Sequence, residues 1–321
     1  MSDRVDTSGA DRGHDRPRRS CLSVPGSSDK MLGKAPDLPA DMVIIDLEDA
    51  VAPSQKAAAR DATVEAIRTH DWGGKVLCVR VNDWTSPWTV FDVLALVAGA
   101  GQRLDEVMLP KVESPAQVVA LDLVLAQAEQ QAGIEAGTVG IAAQLETARG
   151  IADAEAICGA SPRLRAVVFG PADYAASVEM PVLTGGVDIP EYPGDHFNYV
   201  YSKLLIAGRM HGLHVLDGPY LAIRDVEGLR SYSQRTRSLG FDGKWALHPD
   251  QLEIINEVFS PTQQQFDRAW EIIDACDRAA ADDGRGAVAL AGEMIDEASR
   301  KMANRIRAKG ERAGLVRTTA P

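Results

Sequence analysis

The chain has 321 residues, 45% of them hydrophobic, with a formal net charge of −12. That length and apolar content suffice for a sizeable core, as one large α/β domain or two smaller ones. The acidic balance leaves no broad basic field, which argues against nucleic acid or an anionic membrane as partner but leaves room for a small anionic substrate in a local basic pocket.

Cys21, Cys78, Cys158 and Cys276 are scattered, with no CxxC pair and no zinc-ligand spacing, so reduced, buried thiols are expected. No stretch approaches the roughly 18 apolar residues of a membrane helix, and no signal-peptide core precedes the first regular element, which points to the cytoplasm.

In chain order, residues 1–17 are polar and dotted with Gly and Pro. They read as a disordered tail, with Arg16, Arg18 and Arg19 solvated. Eight short apolar runs follow: Cys21 to Val24, Met42 to Leu47, Val76 to Val81, Glu106 to Leu109, Gly140 to Leu145, Ala166 to Phe169, His214 to Leu216 and Lys244 to Leu247. Between them lie helical periodicities, such as Val118, Leu121, Val124, Leu125 and Ala128, or Val200, Leu204, Ala207 and Met210. Ser114-Pro115-Ala-Gln117 and Ser260-Pro261-Thr-Gln263 both read as helix starts with Ser as cap, Pro first and Gln closing a capping box. This alternation predicts a closed (β/α)8 TIM barrel. A Rossmann sheet fits less well, because no GxGxxG follows an early strand.

The second run is the most informative. Asp41-Met-Val-Ile-Ile-Asp46-Leu-Glu48-Asp49 is an apolar strand that ends in crowded carboxylates, which repel one another unless a cation or hydrogen-bond donors sit among them. Asp46 or Asp49 serves equally well as a cap for the helix expected near Ser54. Chemistry in such barrels sits where strands end. The ends here are Pro25-Gly26-Ser27-Ser28, Glu48 with Asp49, Arg80 with Asn82, Lys111 with Glu113, Glu146, Asp173, Asp217 and His248. That lining suits a metal-dependent site.

After the eighth unit, Phe266, Trp270 and Ile273 mark a helix running to about Ala280, interrupted by Asp282-Asp283-Gly284-Arg-Gly286. Leu290 to Arg307 reads as a short extension and a final helix with no core of its own. The expected layout is a tail at 1–17, a catalytic barrel at 18–283 and a lid segment at 284–321.

From about Arg19 to Arg307 the chain resembles the HpcH/HpaI aldolase and citrate lyase β-subunit superfamily, and within it the CoA-ester lyases of the malyl-CoA lyase type. The motifs are Ser23-Val-Pro-Gly26, Ile45-Asp-Leu-Glu-Asp-Ala-Val-Ala-Pro53, Val79-Arg-Val-Asn82, Met108-Leu-Pro-Lys111, Gln144-Leu-Glu-Thr147, Phe169-Gly-Pro-Ala-Asp-Tyr174, Asp217-Gly-Pro219 and Gly243-Lys-Trp-Ala-Leu-His-Pro249. The resemblance implies Mg²⁺, with Mn²⁺ as a substitute, held by Glu146 and Asp173. An oxygen-only donor set without His or Cys suits that ion. It implies Arg80 on an α-keto acid, Glu48 and Asp49 holding metal-bound waters and orienting Arg80, and Asp46 as an outer support. Pro25, Gly26 and Lys34 fall where the family cradles coenzyme A. Ser28 stands where some malyl-CoA lyases have arginine, and Ala172, Leu247 and His248 fall near the acyl-CoA. Asp296 matches an aspartate that acts as general acid/base from a neighbouring subunit's lid; alternatively it caps the last helix. The implied reaction is reversible cleavage of malyl-CoA or β-methylmalyl-CoA to acetyl-CoA or propionyl-CoA and glyoxylate, by a homotrimer or homohexamer. Citramalyl-CoA cleavage, malyl-CoA thioester hydrolysis, a malate-synthase-like condensation or a citrate-lyase-β-like subunit are the alternatives.

Overall fold

The computed structural model describes residues 16–182, 194–282 and 287–318. Eight parallel strands close into a barrel in sequence order: β1 (Ser20–Pro25), β2 (Met42–Asp46), β3 (Val76–Arg80), β4 (Glu106–Leu109), β5 (Gly140–Leu145), β6 (Leu164–Phe169), β7 (His214–Asp217) and β8 (Gly243–Ala246), with β8 pairing back onto β1. All eight apolar runs thus form strands, and the expected (β/α)8 TIM barrel is the observed fold. The helices are α1 (Asp29–Lys34), α2 (Lys56–Thr69), α3 (Thr89–Ala100), α4 (Pro115–Ala132), α5 (Ala148–Ala152), α6 (Ala154–Cys158), α7 (Pro171–Ser177), α8 (Asn198–Met210), α9 (Val226–Leu239) and α10 (Leu252–Phe259).

Period-two alternation decides what fills the barrel. Met42 and Ile44, Val76 and Cys78, Met108, Ala142, Ala166 and Val168, Leu216 and Trp245 form one buried cluster inside it. The intervening residues, such as Val43 and Ile45, are fully buried too. Strands covered on both faces read as unbroken apolar runs, and that is why they stand out in the sequence. On α4, Val118, Leu121, Leu125 and Ala128 are buried as their spacing predicts, and the Gln117 side chain accepts from Ser114 N at 3.2 Å. Met210, placed on the buried stripe of α8 by periodicity, is instead exposed as the last residue of that helix.

The basic residues before β1 are not solvated as expected. Arg18 is buried, with its guanidinium forked onto Glu106, the first residue of β4, at 2.8 Å for the longer contact. Arg19 grips Asp41 at 2.7 and 2.8 Å, and Arg16 donates to the Lys75 carbonyl at 2.9 Å and to Asp105. The remainder of the expected tail lies outside the described residues, as does most of the Asp282–Gly286 interruption.

The compact units divide between Asn256 and Glu257, so the helix that follows α10 clusters with the final helix rather than with the barrel. The second unit holds α11 (Gln263–Asp282), a hairpin of β9 (Val288–Leu290) and β10 (Glu293–Ile295), and α12 (Glu297–Arg312). The helix start read at Ser260 is displaced by two residues. Thr262 Oγ1 accepts from Gln265 N at 3.2 Å while Gln265 Oε1 accepts from Thr262 N at 3.1 Å. Ala269, Ile273 and Ala303 bury a small apolar seam between α11 and α12, and Gly310 lets Phe266 approach within 2.2 Å of where a Cβ would stand.

Candidate active site

Where the strands end, Asp46, Asp49, Arg80, Glu146 and Asp173 line one cavity of about 350 Å³, walled also by Gln144, Gly170, Ala172, Trp245 and Leu247. Asp46 and Arg80 are direct partners in the β2–β3 register, which delivers a carboxylate and a guanidinium side by side. Arg80 Nε and Nη2 donate to Asp46 Oδ1 and Oδ2 at 2.8 and 2.7 Å. The same oxygens accept from Glu48 N at 2.9 Å and Ala50 N at 3.1 Å. Asp46 therefore both caps the turn after β2 and fixes the arginine. Arg80 Nη1 lies 3.1 Å from Glu48 Oε2 and 3.6 Å from Asp49 Oδ2, and its guanidinium carbon stands 5.2 Å from the Trp245 ring centre. Burial alone would weaken the arginine's hold on its proton, but Asp46 and its neighbours more than reverse this. Burial likewise favours a neutral Asp46, and the hydrogen bonds and charge of Arg80 outweigh it, leaving its pKa lowered.

Glu48 is buried at 4% exposure and hydrogen-bonds the Lys111 ammonium. Burial pushes its pKa up, with the two cations opposing. Its loop is anchored from behind by Lys56, whose ammonium donates to the Leu47 and Glu48 carbonyls at 2.7 Å each. Asp49 is half exposed, its carboxylate 3.6 Å from Lys111 Nζ.

Glu146 differs in kind. It is 1% exposed, and each oxygen accepts from a neutral donor: Oε1 from Lys111 N at 2.9 Å, Oε2 from Gln144 Nε2 at 2.6 Å. A Cβ on Gly170 would come within 2.1 Å of Oε2, so glycine is what lets the carboxylate lie against β6. Burial first, and Asp173 second, push the Glu146 pKa up to about 8. A buried carboxylate beside another, fixed by neutral donors, is a cation site in its electrostatics. Gln144 Oε1 is buried there with no hydrogen-bond partner among the described residues. Among those residues no group of three or more His, Cys, Asp or Glu is arranged for a metal. Glu146 and Asp173 line one cavity with no His or Cys in its lining among the described residues, an oxygen-donor chemistry that suits Mg²⁺. Asp173 is in the first turn of α7, after Gly170 and Pro171.

Other expected residues are placed differently. Pro25 ends β1 and Gly26 follows it, with Gly26 N on the Asp46 carbonyl at 2.8 Å. A Cβ there would meet Thr63 Oγ1 at 2.7 Å. Ser28 caps α1 and Lys34 is exposed at its end. His248 is exposed and accepts from Asp250 N at 3.2 Å through Nδ1, so it supports its own turn. Asp217 is not in the cavity; it is buried against Lys244 Nζ at 2.6 Å. Asn82 is committed to Asp92 at 2.7 Å. Asp296, in the second unit, caps α12 by accepting from Ser299 N at 3.0 Å, which lowers its pKa. A wider groove of about 1080 Å³ on that unit, between Ile272, Met294, Met302 and Ile306, also has Asp267, Glu271 and Glu293 in its lining, the last two paired with Arg268 at 3.0 and 3.1 Å.

Sequence reasoning gave no role to Gln144, Trp245 or the main chain of Lys111. The first two had a signal, since they stand two residues before Glu146 and Leu247 and so share a strand face with them.

The family model for HpcH/HpaI aldolase/citrate lyase matches residues 19–249. The L-malyl-CoA/β-methylmalyl-CoA lyase of Cereibacter sphaeroides is 40% identical over 90% of this chain and 93% of its own. The (3S)-malyl-CoA thioesterase of the same organism is 36% identical over 92% and 95%. Among solved structures, the CitE protein of Mycobacterium tuberculosis in complex with magnesium, acetoacetate and coenzyme A covers 93% of this chain and 98% of its own, with a TM-score of 0.71 and 29% identity. The matched span runs from just before β1 to just after β8, and the chain belongs to the HpcH/HpaI aldolase/citrate lyase family.

Proposed function

We propose that the protein is a Mg²⁺-dependent CoA-ester lyase that reversibly cleaves malyl-CoA, or β-methylmalyl-CoA, to acetyl-CoA or propionyl-CoA and glyoxylate. One observation carries this: Glu146, fixed and without an ion-pair partner among the described residues, lines the same cavity as an arginine held rigidly by Asp46 and Trp245. A cation-seeking acid pair beside a preset guanidinium fits a small hydroxy- or keto-acid that brings its own oxygens. The names of the relatives at 40% and 36% identity support the substrate class.

In cleavage, the hydroxyl of the substrate gives up its proton. The bond from its carbon to the carbon beside the thioester breaks, and the electron pair left on the thioester side takes up a proton. Glu146 and Asp173 would hold Mg²⁺, or Mn²⁺ in its place, which when bound supplies Lewis acidity toward the hydroxyl and carboxylate oxygens. Arg80 binds the keto-acid end and stabilises developing oxyanion charge, a term worth about 3–4 kcal/mol in comparable sites. Its orientation is set in advance by Asp46, so little reorganisation accompanies the reaction. Asp296 of a neighbouring copy delivers or removes the proton at the acetyl carbon, which makes the working form an oligomer, a homotrimer or homohexamer in this proposal. Coenzyme A is assigned to Pro25, Gly26, Ser28 and Lys34, in the turn after β1 and on α1, because Ser23-Val-Pro-Gly26 resembles the segment with which the family holds it.

The purified chain, incubated with Mg²⁺ and a panel of malyl-, β-methylmalyl- and citramalyl-CoA, should release glyoxylate with acetyl- or propionyl-CoA from the first two. Free coenzyme A and malate as sole products would replace this reading with the thioesterase one. No turnover by the isolated chain would favour a subunit of a larger complex.

A further inference from the structure

Lys111 stands two residues beyond the end of β4, with φ at +51°, a conformation that glycine adopts freely and a side chain makes strained. The conformation turns two consecutive N–H groups toward β5: Lys111 N onto Glu146 Oε1 at 2.9 Å and Val112 N onto the Gln144 carbonyl at 3.1 Å. A glycine would do this at less cost. What lysine adds is its ammonium, which runs the opposite way to hydrogen-bond Glu48 Oε1 and lie 3.6 Å from Asp49 Oδ1. The other oxygen of Glu48 is 3.1 Å from Arg80 Nη1.

One residue thus touches both halves of the site, through chemically separable groups. We propose that Lys111 is a positioning residue for the cleavage reaction, whose ammonium clamps Glu48 and Asp49 against Arg80 while its main-chain N–H independently fixes Glu146. This rests on the function proposed above. Without the ammonium, Glu48 keeps only Arg80 as a charged partner, and the loop that carries it pulls on the guanidinium that must meet the keto acid. Displacements of about an ångström at such a group cost on the order of a hundredfold in rate.

The test separates the two groups. Lys111→Gly keeps the turn and deletes the ammonium; relief of the positive-φ strain offsets part of the lost pairing with Glu48, so it should melt above Lys111→Met, which keeps the strain. Its Mn²⁺ affinity, titrated by paramagnetic resonance without substrate, should be unchanged, because the donor to Glu146 is retained. Its kcat for malyl-CoA cleavage should fall about 10–100-fold, as should that of Lys111→Met, and Lys111→Arg should recover much of the loss. Wild-type kcat in Lys111→Gly overturns the assignment, as does parallel loss of Mn²⁺ binding, melting temperature and kcat in both neutral variants, the mark of a merely structural residue. A wild-type chain that cleaves none of the CoA esters overturns the functional reading itself, whereas a cleaving wild type matched by Lys111→Gly overturns only the role of Lys111.

Discussion

Replacing Asp46 by Asn tests whether Arg80 is held by the strand register. The two oxygens of Asp46 each accept two hydrogen bonds, from Glu48 N and Arg80 Nε on one and from Ala50 N and Arg80 Nη2 on the other. An amide can accept on one side only. Whichever way it turns, two donors face an NH₂ group, and each buried donor left unpaired costs about 1–3 kcal/mol. The side chains are nearly inaccessible, at 1% for Asp46 and 9% for Arg80, so solvent does not step in. Breaking a buried ion pair by removing one partner costs about 3–5 kcal/mol, and that is the stability loss expected in urea unfolding followed by circular dichroism. Loss of a preset oxyanion donor lowers turnover by about 10²–10³. In a malyl-CoA cleavage assay, Asp46→Asn should therefore lose kcat while still binding Mn²⁺ through Glu146 and Asp173. A variant within about 1 kcal/mol of the wild type, an ordinary effect for any substitution, and with unaltered turnover would show that Glu48 and Asp49 orient Arg80 without Asp46.

Glu146, whose pKa is pushed up to about 8 by burial and Asp173, holds a proton in the folded chain that the unfolded chain has released. Its stabilising contribution is complete below about pH 4.5 and is lost as pH rises to about 8, so the metal-free chain should weaken across that window by a few kcal/mol. Saturating Mg²⁺ should offset the loss, and Glu146→Gln should remove both the pH slope and the Mg²⁺ effect on melting while abolishing cleavage. Arg18→Met should destabilise the fold by about 3–5 kcal/mol by stranding Glu106, with Arg18→Met/Glu106→Met recovering most of it in urea titrations. Asp296→Asn retains the cap of α12, since Asn caps as well as Asp; helix content should be unchanged while kcat falls about 10²–10⁴-fold, and unchanged kcat would remove Asp296 from the chemistry.

The barrel was legible because its strands are covered on both faces and its helices on one, so that Met42 to Asp46 and Val118 to Ala128 carry different periods in plain view. Side-chain partners were not, because they depend on register. Asp46 faces Arg80 across β2 and β3, and nothing in Ile45-Asp-Leu-Glu-Asp49 says which acid that is. Arg18 finds Glu106 from 88 residues away, so its local company of other bases suggested a solvated tail. The β9–β10 hairpin escaped notice because its strands are three residues each. Its one mark is Ala291-Gly292, which both take positive φ in the two-residue turn.

The densest acids in the sequence, Asp46, Glu48 and Asp49, are not where the ion is proposed to bind, and charge pairing explains why. Asp46 is consumed by Arg80 and two main-chain donors, and Glu48 is shared between Arg80 and Lys111. A divalent ion entering there would have to displace a buried guanidinium, at a cost of about 3–5 kcal/mol for the stranded charge. Glu146 asks for no such displacement, because its two donors are neutral and each oxygen retains capacity to accept a cation. The proposed ion therefore settles on the sparser pair, Glu146 and Asp173. The denser one, already neutralised by the protein's own cations, is left to hold Arg80 in place.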